Sequence, residues 1–150
     1  MDHVTLAGDL FLQGYNCAQA VAVAFCDGTG MDQKLAAKMA APFGGGMGRM
    51  REVCGAVSGM FMVLGTLYGY DNSDAESTKK ALYTQVQALA EQFRAENGRL
   101  ICREILKNPP SDPNPSPRTA EYYAKRPCAR MVMTAAKLMD EFIAEHPLEG

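Results

Sequence analysis

With 150 residues, the chain suits one domain with a real hydrophobic core. Its composition is that of a soluble globular protein, 47% apolar and 21% charged. A net charge of −2, with no basic block and no acidic tail, excludes a nucleic-acid-binding surface and a solvating arm.

The opening stretch, "MDHVTLAGDLFLQG", has no basic n-region and carries Asp9 inside its apolar run. No secretory signal is expected there, and a cytoplasmic location follows. A first helix is predicted over Val4–Leu12, stopping at Gly14. Asn16 is the expected N-cap of a second, "CAQAVAVAFCDG", ending by Gly28. A third spans about Met31–Ala41, with Pro42 beyond it. The glycine-rich turn "PFGGGMGR" leads into a long helix over Glu52–Tyr68.

Residues 53–70 carry no charge and are just long enough to cross a bilayer. Gly55, Ser58, Gly59, Gly65, Thr66 and Gly69 dilute that apolarity, so a buried helix and no stable membrane span are expected. Asp71 to Asp74 supply turn and cap residues. The helix Asp74–Asn97 follows, with Leu82, Val86, Leu89 and Phe93 on one face and Asn97-Gly98 at its end. A short helix, "ICREILK", precedes "NPPSDPNPSPR", whose prolines at 109, 110, 113, 115 and 117 make 108–118 a surface loop. The last helix runs from Pro127 to Glu145 and buries Met131, Ala135, Leu138 and Phe142. The whole reads as a single all-α bundle of about six or seven helices, with a proline-rich loop and no sheet of consequence.

Five cysteines stand on this outline, at 17, 26, 54, 102 and 128. In a reducing compartment such thiols are free, metal-bound or redox-active more often than bridged. Cys17, Cys54, Cys102 and Cys128 all fall at predicted helix N-termini, where the helix dipole and unpaired N–H groups favour thiolate. Arg49, Arg51, Arg103, Arg126 and Arg130 lie near them in sequence and would add to that effect. Cys26 falls at a predicted helix C-terminus, about 13 Å from Cys17 along an unbroken helix, and is expected to lie apart. Against a shared site stands the ordinary packing of cysteine as a small buried hydrophobe.

Gly55 and Gly59 share one helix face. They let either another helix or a cofactor approach Cys54, and the same bare face is compatible with a homodimer. The loop "FGGGMGRM" matches neither dinucleotide nor phosphate-loop patterns, so its expected role is a chain reversal with positive φ angles that sets the entry of the Cys54 helix. With only His3 and His146, a histidine metal site is not expected; no Cys-x-x-Cys pair supports a thioredoxin motif or zinc ribbon. Glu52, beside Cys54, reads as a base or, more simply, as a first-turn acid.

The segments "GYNCAQAV", "FGGGMGRMREVCGAVSG", the cysteine of "LICREIL" and that of "RPCARMV" together resemble the redox-active C-GCAxxG-C-C family. There a cysteine-glycine-alanine-x-x-glycine motif stands among three further cysteines. The resemblance spans Tyr15 to Cys128 and implies redox activity for Cys17, Cys54, Cys102 and Cys128, leaving Cys26 outside the pattern.

Two chemistries are compatible with these residues. In one, the four thiols ligate an iron–sulfur cluster or zinc used in electron transfer, with Arg49, Arg51, Gly55 and Gly59 beside the cofactor. In the other, two or more of them cycle between dithiol and disulfide with a partner protein or a small thiol, and Cys54 is the expected attacking thiol. A helical binding protein with merely buried cysteines is the third alternative.

Overall fold

The computed structural model describes residues 2–73 and 76–148. Its helices, in chain order, are α1 (His3–Leu12), α2 (Cys17–Ala24), α3 (Cys26–Thr29), α4 (Gln33–Ala40), α5 (Gly44–Met47), α6 (Gly55–Tyr68), α7 (Glu76–Asn97), α8 (Cys102–Ile105), α9 (Ala120–Lys125) and α10 (Cys128–Glu145). A 3-10 turn, Ala41–Phe43, continues α4 through Pro42. The all-α class is as expected. The predicted helices correspond to α1, α2, α4, α6, α7, α8 and α10, while α3, α5 and α9 are short additions.

Two boundaries differ from the sequence reading. The second helix does not run to Gly28. It breaks at Phe25 (φ −100°, ψ 11°), and Cys26 opens the separate turn α3 instead of closing α2. The long helix begins at Gly55, not Glu52, because residues 52–54 are paired with the segment carrying Cys102. The predicted start of α7 at Asp74 lies outside the described residues.

α2 sits at the centre. Asn16 caps it by accepting from Gln19 N–H at 2.9 Å while the Gln19 side chain accepts from Asn16 N–H at 3.0 Å, a reciprocal capping box. Ala18 and Ala20–Ala24 are all buried, so α2 is covered on every side, by α1, α4, α6 and α10. Small side chains permit this closeness. A Cβ added at Gly59 would stand 2.7 Å from Ala18 O and 3.0 Å from Val21 Cβ. At Gly59 the glycine face of α6 is therefore used for packing on α2 within the same chain.

α10 buries the predicted stripe Met131, Ala135, Leu138 and Phe142. α7 packs on α6 and α10 chiefly through Leu89 and Phe93, both fully buried, each contributing about 1.5–3 kcal/mol. Leu82 and Val86, nearer its start, are only half-buried. No helix among the described residues is long and apolar enough to cross a membrane.

His3 fastens α1 to two distant elements. Its Nδ1 lies 2.6 Å from Asp140 Oδ1 and its Nε2 2.9 Å from Asp27 Oδ1, with the ring stacked on Phe25. Partial burial lowers the imidazole's pKa, but the bonds to Asp27 and Asp140 outweigh it and raise the pKa above the ordinary 6.5. A raised folded-state pKa means the contribution is complete below about 6.5 and fades as pH rises through the higher folded value. Urea midpoints of the wild type and His3→Gln should therefore be furthest apart near pH 6 and draw together as pH rises above 6.5. A gap that widens with pH would contradict this.

Candidate functional site

One cavity of about 440 Å³ brings together residues from across the chain. Cys17, Cys54, Cys102 and Cys128 all line it. Each enters at a helix start: Cys17 opens α2, Cys54 caps α6, Cys102 opens α8 and Cys128 opens α10 behind Pro127. Cys26 is elsewhere, packed with Val23 and Ala36, its thiol donating to Ala22 O at 3.7 Å.

Two local devices assemble the cavity. The first is an antiparallel contact in which Cys54 N–H donates to Leu100 O (3.0 Å), Cys102 N–H to Glu52 O (2.6 Å) and Arg103 N–H to Arg51 O (3.1 Å). It ties the α6 entry to the α8 entry, and with them Cys54 to Cys102. The second is the close approach of α6 to α2 at Gly55, where a Cβ would lie 3.2 Å from Cys17 Cβ. Gly55 lines the cavity; Gly59, one turn on, packs on Ala18 and Val21 and does not.

The glycine-rich turn forms one wall through Gly44, Gly45, Gly46 and Gly48. Its backbone is left-handed at Gly45, Gly46, Met47, Gly48, Arg49 and Arg51. For Arg49 (φ 67°) and Arg51 (φ 62°) such a conformation costs about 1–3 kcal/mol each, held in place by surrounding contacts. Arg49 donates to Asp112 O (2.9 Å) and Ser116 Oγ (3.0 Å), and Arg51 Nε to Pro110 O (3.0 Å). These bonds draw the mostly exposed 108–118 segment across the site, where Pro113, Pro115 and Ser116 join the lining.

Of the arginines marked in the sequence, Arg49, Arg51 and Arg126 line the cavity. Arg103 instead bonds Met50 O and Glu52 outside it, so Glu52 is neither a first-turn acid nor a cavity base. Arg118 also lines the cavity and was not singled out in the sequence. It donates to Phe11 O and Tyr15 O, both at 3.1 Å, and covers the faces of Phe11 and Tyr122. The tyrosines just after it were its only sequence signal.

Helix starts alone do not make these cysteines thiolates. Burial pushes the Cys54 thiol up to about 12, against the smaller opposing effect of the Ala56 and Val57 N–H groups. Burial also raises Cys102, with Arg51 opposing it. Cys17 is raised by its hydrogen bond to Cys128 and by burial. Cys128 alone is lowered, to about 7, by the Cys17 hydrogen bond first and then by Arg126, Arg118 and Arg51, which together overcome its burial. Thiolate is therefore favoured at Cys128 and disfavoured at Cys54, the thiol expected from the sequence to attack. The Cys17–Cys128 hydrogen bond raises Cys17 and lowers Cys128, so the charged form is favoured at Cys128 over Cys17.

Cys17→Ala should raise the Cys128 pKa by removing the largest factor that lowers it. The pH profile of Cys128 alkylation checks this; an unmoved profile would leave the lowering to the arginines alone.

The family described as "Putative redox-active protein (C_GCAxxG_C_C)" matches residues 15–142, a span that includes all four cavity cysteines. No curated protein and no solved structure matches the chain.

Proposed function

The chain belongs to the C-GCAxxG-C-C family of redox-active proteins, and from that premise we propose that it is a thiol–disulfide redox protein in which Cys128 attacks and Cys17 resolves. The observation carrying this reading is the cavity that Cys17 and Cys128 line together with Cys54, Cys102, Arg51, Arg118 and Arg126, where thiolate is favoured at Cys128. The Cys128 thiolate attacks one sulfur of a partner disulfide, forming a mixed disulfide and releasing the other half as a thiol once protonated. Cys17 then gives up its proton and attacks the Cys128 sulfur. This closes the Cys17–Cys128 bond and releases the second thiol. Two electrons and two protons pass from the pair to the disulfide, and a dithiol donor restores the pair by the reverse exchange. The partner is a small disulfide or a redox protein, and the setting is a reducing one such as the cytoplasm.

The metal-centre reading draws support from four thiols around one cavity. As placed, they fit a single metal ion poorly. Among the described residues, no group of three or more His, Cys, Asp or Glu side chains could hold one ion. Arg51 Nη1 also stands 3.7 Å from the Cys102 sulfur, putting a cation beside a would-be ligand.

Anaerobically purified protein, equilibrated in glutathione redox buffers, tests the reading. It should lose two thiols per chain in a single two-electron transition, and Cys17→Ser and Cys128→Ser should each lack that transition. Stoichiometric iron or zinc that abolishes the transition would overturn the reading in favour of a metal centre.

A further inference from the structure

The cavity carries a charge pattern that disulfide exchange alone does not explain. Four arginines line it, at 49, 51, 118 and 126, and no Asp or Glu is among the lining residues. Around this patch the chain as a whole has a net charge of −2. Three of the arginines have partners for what they present. Arg49 holds the 112–116 segment, Arg118 bonds two carbonyls and stacks on aromatic rings, and Arg126 reaches Ser116 Oγ at 3.4 Å and covers Tyr122.

Arg51 differs. It is 2% exposed, the one buried charged residue among those described. Its Nε is satisfied by Pro110 O and its Nη1 faces the Cys102 sulfur, but its Nη2 is buried with no hydrogen-bond partner. Leaving a buried donor unpaired costs about 1–3 kcal/mol, more for a charged group. The protein also keeps Arg51 in a left-handed backbone conformation to hold it there.

Resting on the thiol–disulfide reading, we propose that this cavity is an anion subsite, and that the substrate class is a small disulfide bearing a carboxylate or sulfonate, whose anionic oxygen pairs with Arg51 Nη2 while its sulfur meets Cys128. The cavity's 440 Å³ lies within the range of small-ligand pockets. The exchange is the one already written: the Cys17/Cys128 dithiol becomes a disulfide, and the substrate's S–S bond is cleaved to two thiols, each keeping its anionic group.

A charge series of small disulfides tests this on the wild-type protein. Its members are 3,3′-dithiodipropionate (dicarboxylate), bis(2-sulfoethyl) disulfide (disulfonate), 2-hydroxyethyl disulfide (neutral) and cystamine (dication). At least one anionic member should oxidise the pair about tenfold or more faster than the neutral one, the factor one charge-assisted hydrogen bond supplies, with cystamine slowest. The faster of the two anions identifies the oxygen group. Suberate, the redox-inert carbon analogue of dithiodipropionate, should protect Cys128 from iodoacetamide if the carboxylate is the faster. Hexane-1,6-disulfonate takes its place for the sulfonate. Arg51→Gln should abolish the preference among the disulfides; if that variant does not fold, the charge series and the protection assay on the wild type still decide. Equal rates across the series, with no protection, would overturn the anion subsite while leaving disulfide exchange standing. No reaction with any disulfide, yet protection by the inert anion, would sink the exchange reading and keep the subsite.

Discussion

Iodoacetamide at pH 7 is expected to alkylate Cys128 about 10²–10³ times faster than Cys54. A thiol lowered to about 7 is about half thiolate there, whereas one raised to about 12 is thiolate in about one molecule in 10⁵. The thiolate of lower pKa is intrinsically the weaker nucleophile, with a Brønsted slope of about 0.4–0.5, which returns about two of those orders of magnitude. Access does not decide the matter, since Cys128 and Cys54 are 9% and 5% exposed. Cys128→Ser should therefore remove the fast phase, whereas Cys54→Ser should leave it. Time-resolved mass spectrometry of alkylated peptides reads both. A fast phase that follows Cys54 would reverse the assigned roles.

The second large effect concerns the turn that shapes the cavity wall. Gly46→Ala should destabilise the protein by about 2–5 kcal/mol, a large share of the roughly 5–15 kcal/mol typical of a domain. Gly46 has φ 69°, a left-handed conformation that costs a residue with a Cβ about 1–2 kcal/mol. The added atom would also meet Cys102 Cβ at 2.7 Å, Glu52 N at 2.8 Å and Arg51 Cα at 2.9 Å. Two of these three are backbone atoms that cannot swing aside, so overpacking adds about 1–3 kcal/mol. Gly28→Ala is the control, because nothing lies within 4 Å of its would-be Cβ and its φ is not positive. Urea midpoints at unchanged slope measure both. If Gly46→Ala were as stable as Gly28→Ala, the turn would not be the rigid wall described above.

The helices were legible because their signals are local. Asn16 announces the start of α2, the Leu89–Phe93 spacing the face of α7, and Met131–Phe142 the face of α10. The same locality exposed the four cysteines, since each follows a cap, a glycine turn or a proline. What decides their chemistry is not local. Burial of Cys54 depends on α2 lying against α6, and the lowering of Cys128 depends on Cys17, 111 positions earlier, and on Arg118 and Arg126 facing inward. The backbone pairing of 51–54 with 100–103 also escaped the sequence. It is a single rung joining segments nearly fifty residues apart and carries no alternating pattern. Arg51 could be marked as a nearby cation, but not as a buried one with an unpaired nitrogen.

The pairing of Cys17 with Cys128 is tested most directly by mapping the disulfide that forms when the reduced protein is oxidised by one equivalent of a small disulfide. Chymotryptic digestion without reduction suits the purpose, because cleavage after Phe25 separates Cys17 from Cys26. The predicted product is one cross-linked species joining the Cys17 and Cys128 peptides, with Cys26 recovered as a free thiol. A bridge between Cys54 and Cys102, or one involving Cys26, would contradict the account.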